Sequence, residues 1–155
     1  LIKKIISGGQ TGVDRAALDA AIKAGISHGG WVPKGRKAED GIIPMKYNLS
    51  EMDDVRYAPR TLENIRDSDG TLIITSGSPD RGTLLTRELA AGHRKPFVVI
   101  DLSKSDLYKS SEGVLSWLTS NKIEVLNVAG PRESKSPGIY EQSLRFLLIV
   151  LKDLN

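Results

Sequence analysis

Three short segments carry the residues best able to do chemistry. They are Ser7-Gly8-Gly9-Gln10-Thr11-Gly12, Thr75-Ser76-Gly77-Ser78-Pro79-Asp80-Arg81-Gly82-Thr83 and Asn127-Val128-Ala129-Gly130-Pro131-Arg132-Glu133-Ser134. In the first two, glycines let the backbone approach an anion, amide N–H groups point outward, and a following helix offers its positive end. One exposed helix end is worth about 0.3–1 kcal/mol to an anion, so useful affinity needs several to converge. Taken alone, the first segment is either a phosphate loop or an ordinary tight strand–helix turn. Three such segments on one predicted edge point to a phosphate-bearing ligand. Gly8, Gly9, Gln10, Thr11 and Gly12 are the candidates from the first segment, and Ser76, Gly77, Gly82 and Thr83 those from the second. The third supplies Asn127, Arg132 and Ser134, with Arg132 placed directly after Gly130-Pro131. Lys34 and Arg36, in Pro33-Lys34-Gly35-Arg36, either close over an anion or are solvated surface charge. Asp14 is either a helix-start acid or a ligand contact, and Glu133 either orients Arg132 or starts a turn. Trp31 fits a half-buried core position better than a stacking platform. The first segment is neither the dinucleotide fingerprint nor the Walker pattern.

Such segments need strands and helices to position them, and the apolar pattern supplies both. Ile2 to Ser7 is a short β-branched run that stops at Gly8-Gly9. From Val13 to Gly25 the spacing turns helical, with Val13, Ala16, Ala17, Ala20, Ala21 and Ala24 on one face, Thr11 as cap and Gly25 as stop. Arg60 to Asp67 reads as a short helix with Leu62 and Ile65 inward, and Thr71 to Thr75 as a buried strand. Thr83 to Ala91 is helical and closed by Gly92, and Pro96 to Asp101 is a third buried strand. Ser105 to Asn121 is helical in its second half, Ile123 to Asn127 is a fourth strand, and Tyr140 to Leu151 lines a last helix. His28 to Val32 offers one more strand, whereas Pro33 to Pro59 has no clear period and is left open as a lid. Strand–helix alternation with continuous apolar strands predicts an α/β fold whose mostly parallel sheet has helices on both faces. In such sheets ligands bind beyond the carboxyl ends of the strands, where all three polar segments fall.

Composition narrows the function. At 155 residues the chain is expected to be one domain, 1–155. Its 22 Lys+Arg against 19 Asp+Glu give a net charge of +3, too mild for a nucleic-acid coat. There is no cysteine, which excludes disulfides, thiolate metal sites and cysteine nucleophiles. His28 and His93 are the only histidines and lack metal-ligand spacing, so no protein-ligated metal is expected. No apolar run approaches the roughly 18 residues of a membrane span and no leader is visible, so no membrane partner and a cytoplasmic location are expected.

Several stretches resemble the putative molybdenum carrier family, in order and over nearly the whole chain. They are Gly8 to Asp19, Gly29 to Arg36, Glu39-Asp40-Gly41, Asn64 to Thr71 and Leu126 to Ser134. The resemblance implies a Rossmann-like three-layer sandwich, in a superfamily shared with DNA-processing protein A and the cytokinin-activating phosphoribohydrolases. It implies a carrier whose cargo is the molybdenum cofactor (molybdopterin), a phosphate-bearing pterin that holds the metal through its own sulfurs. The protein then needs only amides, Lys and Arg to grip it. The phosphoribohydrolases carry a P-G-G-x-G-T-x-x-E loop. Here Gly82-Thr83 keeps the phosphate pair, but the acid, Glu88, stands five residues past Thr83 rather than three. A two-residue shift turns a helical side chain by roughly 200° and off that face. The expectation is therefore a non-enzymatic binding protein, the alternative being cleavage of an N-glycosidic bond by Asp14, Asp80, Glu88 or Glu133. Superfamily likeness also implies homo-oligomers, for which the leucine-rich last helix is either a seam or a cover for the sheet.

Overall fold

The structure, a computed structural model, describes residues 1–104 and 106–154. The chain runs β1 (Lys4–Ile6), α1 (Val13–Ala24), β2 (Ser27–Gly29), β3 (Trp31–Val32), β4 (Lys37–Ala38), β5 (Gly41–Ile42) and β6 (Ser50–Glu51). It continues as α2 (Tyr57–Arg66), β7 (Gly70–Thr75), α3 (Arg81–Gly92), β8 (Phe97–Asp101), α4 (Leu107–Ser120), β9 (Val125–Ala129) and α5 (Ile139–Asp153). Five strands form one sheet in the order β2-β1-β9-β7-β8, and every neighbouring pair is parallel. Helices cover both faces, giving the Rossmann-like three-layer sandwich.

Alternation along the strands sorts the two faces. Ile5, Leu72, Ile74, Leu126 and Val128 meet α1, α4 and α5 in the main core, where Phe146, Leu147 and Leu151 of α5 are buried. The last helix is thus a cover for the sheet. The alanine stripe of α1 lets that helix sit close to α5: Ala17, Ala20 and Ala21 are fully buried in the same core. On the other face α2 and α3 pack together. Six consecutive residues of β7 are buried, as a central parallel strand requires.

Some boundaries differ from expectation. Gly12, not Thr11, is the N-cap of α1, because the Thr11 hydroxyl is drawn to Glu39 across the molecule. α2 begins three residues before Arg60, at Tyr57, and Leu62 is only half-buried. α3 starts at Arg81, since Asp80 caps it by accepting the Thr83 amide at 2.8 Å, and Gly92 is its last helical residue, with His93 as the C-cap. β8 is half-buried instead of buried, being the outermost strand. The helix after it is α-helical from Leu107; Ser105 lies outside the described residues. β9 runs to Ala129, two residues beyond Asn127.

The aperiodic stretch is ordered by a satellite core. Leu18, from the outer side of α1, packs with Val32, Ala38, Ile43 and Tyr47. His28 to Val32 splits: β2 joins the main sheet, while β3 pairs with β6, and β4–β5 forms an antiparallel hairpin. Asp19 ties this excursion to α5, accepting Tyr47 Oη on one oxygen at 2.7 Å and Tyr140 Oη on the other.

Candidate functional site

A cavity of about 530 Å³ opens beyond the carboxyl ends of β1 and β9, walled by α2 and the start of α3. Its floor is Gly8 and residues 127–130. Four cations line it, Arg60, Arg81, Arg132 and Lys135, against two carboxylates, Asp14 and Asp80. Both carboxylates are engaged: Asp80 caps α3, and Asp14 pairs with Arg60 Nη1 at 3.0 Å.

That pair is built into the fold. Asp14 sits in the first turn of α1, 5% exposed, and also accepts the Gln10 amide at 3.3 Å. Burial pushes its carboxyl above the ordinary 3.8, and Arg60 opposes the shift without reversing it. Gly8 is glycine for space: a Cβ there would stand 1.4 Å from Arg60 Nη1 and 2.9 Å from the Asp14 carboxylate.

The three polar segments do meet at one rim, but much of their hydrogen-bonding capacity is spent within the chain. Gly12, at φ +76°, lets the first loop close on the third; a Cβ would lie 2.4 Å from the Pro131 carbonyl, which already accepts the Val13 amide at 3.2 Å. The Glu39 carboxylate accepts the Thr11 hydroxyl, the Ser134 amide at 3.2 Å and the Ser134 hydroxyl. Partial burial pushes Glu39 up, yet those bonds from Ser134 and Thr11, with the charge of Arg132, outweigh it and hold its pKa below the usual range. Asp40 beside it is lowered by a bidentate bond from Arg15, at 3.0 and 3.1 Å. By contrast, the Arg81 and Gly82 amides of α3 have no partner among the described residues. They are the open anion-binding end.

Of the expected contacts, Gly8, Gln10, Gly82, Asn127 and Arg132 line the cavity. Asn127 donates to Thr71 Oγ1 at 3.2 Å, leaving its carbonyl oxygen without a donor among the described residues. Others lie elsewhere. Gly9 packs against Val32, Ile43 and Leu49; Gly77 donates its amide to Asp101 at 2.9 Å; Ser76 is half-buried outside the lining. Thr83 lies in the first turn of α3, its buried hydroxyl without a partner among the described residues. Thr11, Gly12 and Ser134 are taken up in the loop closure just described. Lys34 is exposed, 3.6 Å from Asp53.

Neither alternative for Arg36 holds. It is 7% exposed, and its guanidinium donates to the carbonyls of Ile43, Pro44 and Tyr47 at 3.0, 2.7 and 3.0 Å, knotting the satellite core. Arg36→Met keeps the alkyl stem and removes those donors. It is expected to cost about 2–3 kcal/mol, read as a lower urea midpoint with an unchanged slope. Trp31 is half-buried, as expected: Asn64 clamps its backbone at 2.7 and 3.0 Å, and its indole donates to Asp67 at 2.7 Å. Sequence reasoning missed Tyr57, Arg60 and Lys135, for which no local pattern exists; Arg81, at a helix start, could have been read from its position.

Among the described residues no group of three or more His, Cys, Asp or Glu is placed to hold a metal ion, and no helix is long and apolar enough to cross a membrane. Sheet, switch-point cavity and basic rim define an α/β protein of the Rossmann-like class with a small-ligand cavity at the carboxyl strand ends. Residues 5–151 match the circularly permutated YpsA SLOG family, and the chain belongs to that family. It is also similar to a crystal structure of a "putative molybdenum carrier protein" from Syntrophus aciditrophicus SB, at 50% identity and a TM-score of 0.95, covering 97% of this chain and 95% of that one. No curated protein matches.

Proposed function

We propose that this protein binds and carries a phosphate-bearing heterocyclic guest in the basic cavity, with molybdenum cofactor as the cargo. The carrying observation is a cavity of about 530 Å³ with four cations and two carboxylates already engaged. That volume lies within the 300–1,000 Å³ usual for small-ligand sites. The donor set fits such a cargo: α3 amides and Arg81 suit a phosphate, Asn127 and Gln10 offer polar contacts to a ring, and a cargo that brings its own sulfurs needs no thiolate. The similar protein's name agrees with this reading. Native mass spectrometry of the freshly purified chain is expected to reveal a co-purifying mass of this class. Arg132→Glu should abolish its retention while Tm stays within a few degrees; unchanged retention would remove Arg132 from the site.

The location proposed is the cytoplasm, and the state a homo-oligomer. The outer edge of β8 supports the latter, since Val99 is 42% exposed on a strand paired only with β7, and the other edge is a template for another chain. A single-chain mass in analytical ultracentrifugation would reject it.

One observation favours a second reading, cleavage of a nucleotide N-glycosidic bond. Asp14 is a cavity-wall carboxyl whose raised pKa suits proton transfer. The other acids are poorer candidates. Glu88 is exposed and outside the cavity, Asp80 caps α3, and Glu133 accepts the Gly138 and Tyr140 amides at 2.8 and 3.0 Å. Release of base from a panel of nucleoside monophosphates, lost in Asp14→Asn, would put this reading first.

A further inference from the structure

We propose that the ring of Tyr57 organises a second oxyanion subsite at the mouth of the cavity, built from Lys37 and Arg132 and separate from the α3 end. This rests on the reading that the cavity takes a negatively charged guest; it adds that the guest carries a second oxyanion group and says where that group lies. Three cations from three segments gather on this ring: Lys37 Nζ at 5.1 Å from its centroid, Arg60 Cζ at 5.3 Å and Arg132 Cζ at 5.7 Å. Each such contact is a weak attraction of a cation to the ring's negative face. Against it stands the mutual repulsion of the cations. The ring offsets part of that repulsion but carries no net charge to neutralise them.

Acids compensate only part of it. Asp14 neutralises Arg60. Glu39 feels the charge of Arg132, but its oxygens are held by Thr11 and Ser134 and it makes no ion pair there. Lys37 has no carboxylate within 4 Å among the described residues. A phosphate-like group bridging Lys37 and Arg132 supplies the missing charge. Lys37 is held in place because its hairpin is fastened on both sides, by Glu39 to the third loop and by Asp40 to Arg15. A guest with two oxyanion groups, such as a diphosphate ester, would reach both subsites.

Titration of the isotope-labelled full chain with inorganic phosphate, followed by NMR, tests this directly. The Gly82 amide reports the α3 end, and the Tyr57 ring with the Lys37 side chain reports the second subsite. Both sets of signals are expected to shift and to saturate independently. Lys37→Gln should weaken the response at Tyr57 and Arg132 about tenfold, whereas Lys23→Gln, the same charge change on an exposed turn of α1, should leave it within twofold. Movement of Gly82 with Tyr57 and Lys37 silent would overturn the second subsite and leave the cavity reading standing; silence at both ends would overturn the two together. Equal effects of Lys37→Gln and Lys23→Gln would reduce the subsite to general charge and reject it.

Discussion

Arg60→Leu is expected to destabilise the protein by about 3–5 kcal/mol near neutral pH, because it leaves Asp14 buried without its partner. Asp14 is 5% exposed, and the Arg60 guanidinium 3.0 Å away is its main compensation, with the Gln10 amide a weaker one at 3.3 Å. The double variant Asp14→Asn/Arg60→Leu should be less destabilised than Arg60→Leu alone, since it removes the orphaned charge as well as the pair. The pH dependence has a definite sign. Burial already raises the Asp14 pKa above 3.8, so the folded state holds this proton more tightly than the unfolded state. Stability therefore falls as pH rises through the interval from 3.8 to the raised value, and is flat above it. Removing Arg60 raises the folded value further and widens the interval. The Arg60→Leu penalty should be smallest in acid and grow with pH, and should lose that slope once Asp14 is also asparagine. Urea midpoints at a series of pH values decide it; a penalty independent of pH would show that Asp14 is not what Arg60 compensates.

Most of the sheet could be read from the chain because its strands are continuous apolar runs ended by glycine or small polar residues. Gly70–Thr75 and Val125–Ala129 announce themselves that way, and the alanine stripe of Val13–Ala24 announces the close helix. The convergence of three loops also followed, since every strand of the five-stranded sheet is parallel and each loop leaves a carboxyl end. Hydrogen-bond ownership did not follow. Glycine-rich loops advertise free amides, yet whether a ligand or the protein takes them depends on residues far away in sequence. Glu39, 95 residues from Ser134, fills one such position, and Asp101, 24 residues from Gly77, fills another. The side chains of Arg36 and Arg60 are chemically the same, but one is committed to three carbonyls and the other lines the cavity. Nothing local separates them. The segment 33–59 had no period because its order comes from a five-residue satellite core seeded by Leu18, not from a long helix or strand.

The first loop is where these points bear hardest, and Gly8→Ala should show it. The glycine is required by proximity: the new Cβ would fall 1.4 Å from Arg60 Nη1, far inside contact distance, with the Arg60 Cζ at 2.4 Å. The guanidinium is the far end of a flexible side chain, so it can leave, but leaving breaks the pair with Asp14. The methyl group also narrows the cavity floor. The expected loss is therefore about that of Arg60→Leu, roughly 3–5 kcal/mol, accompanied by loss of guest retention in native mass spectrometry. The two effects should not add. In an Asp14→Asn/Arg60→Leu background the colliding guanidinium and the charge it neutralised are both gone, so the further cost of Gly8→Ala should drop to about 1 kcal/mol or less. Backbone strain would predict the opposite, a penalty unchanged in every background. A thermodynamic cycle over these positions, measured by urea unfolding, separates the two mechanisms, and full additivity would mean that Gly8 serves the turn itself and not the buried pair behind it.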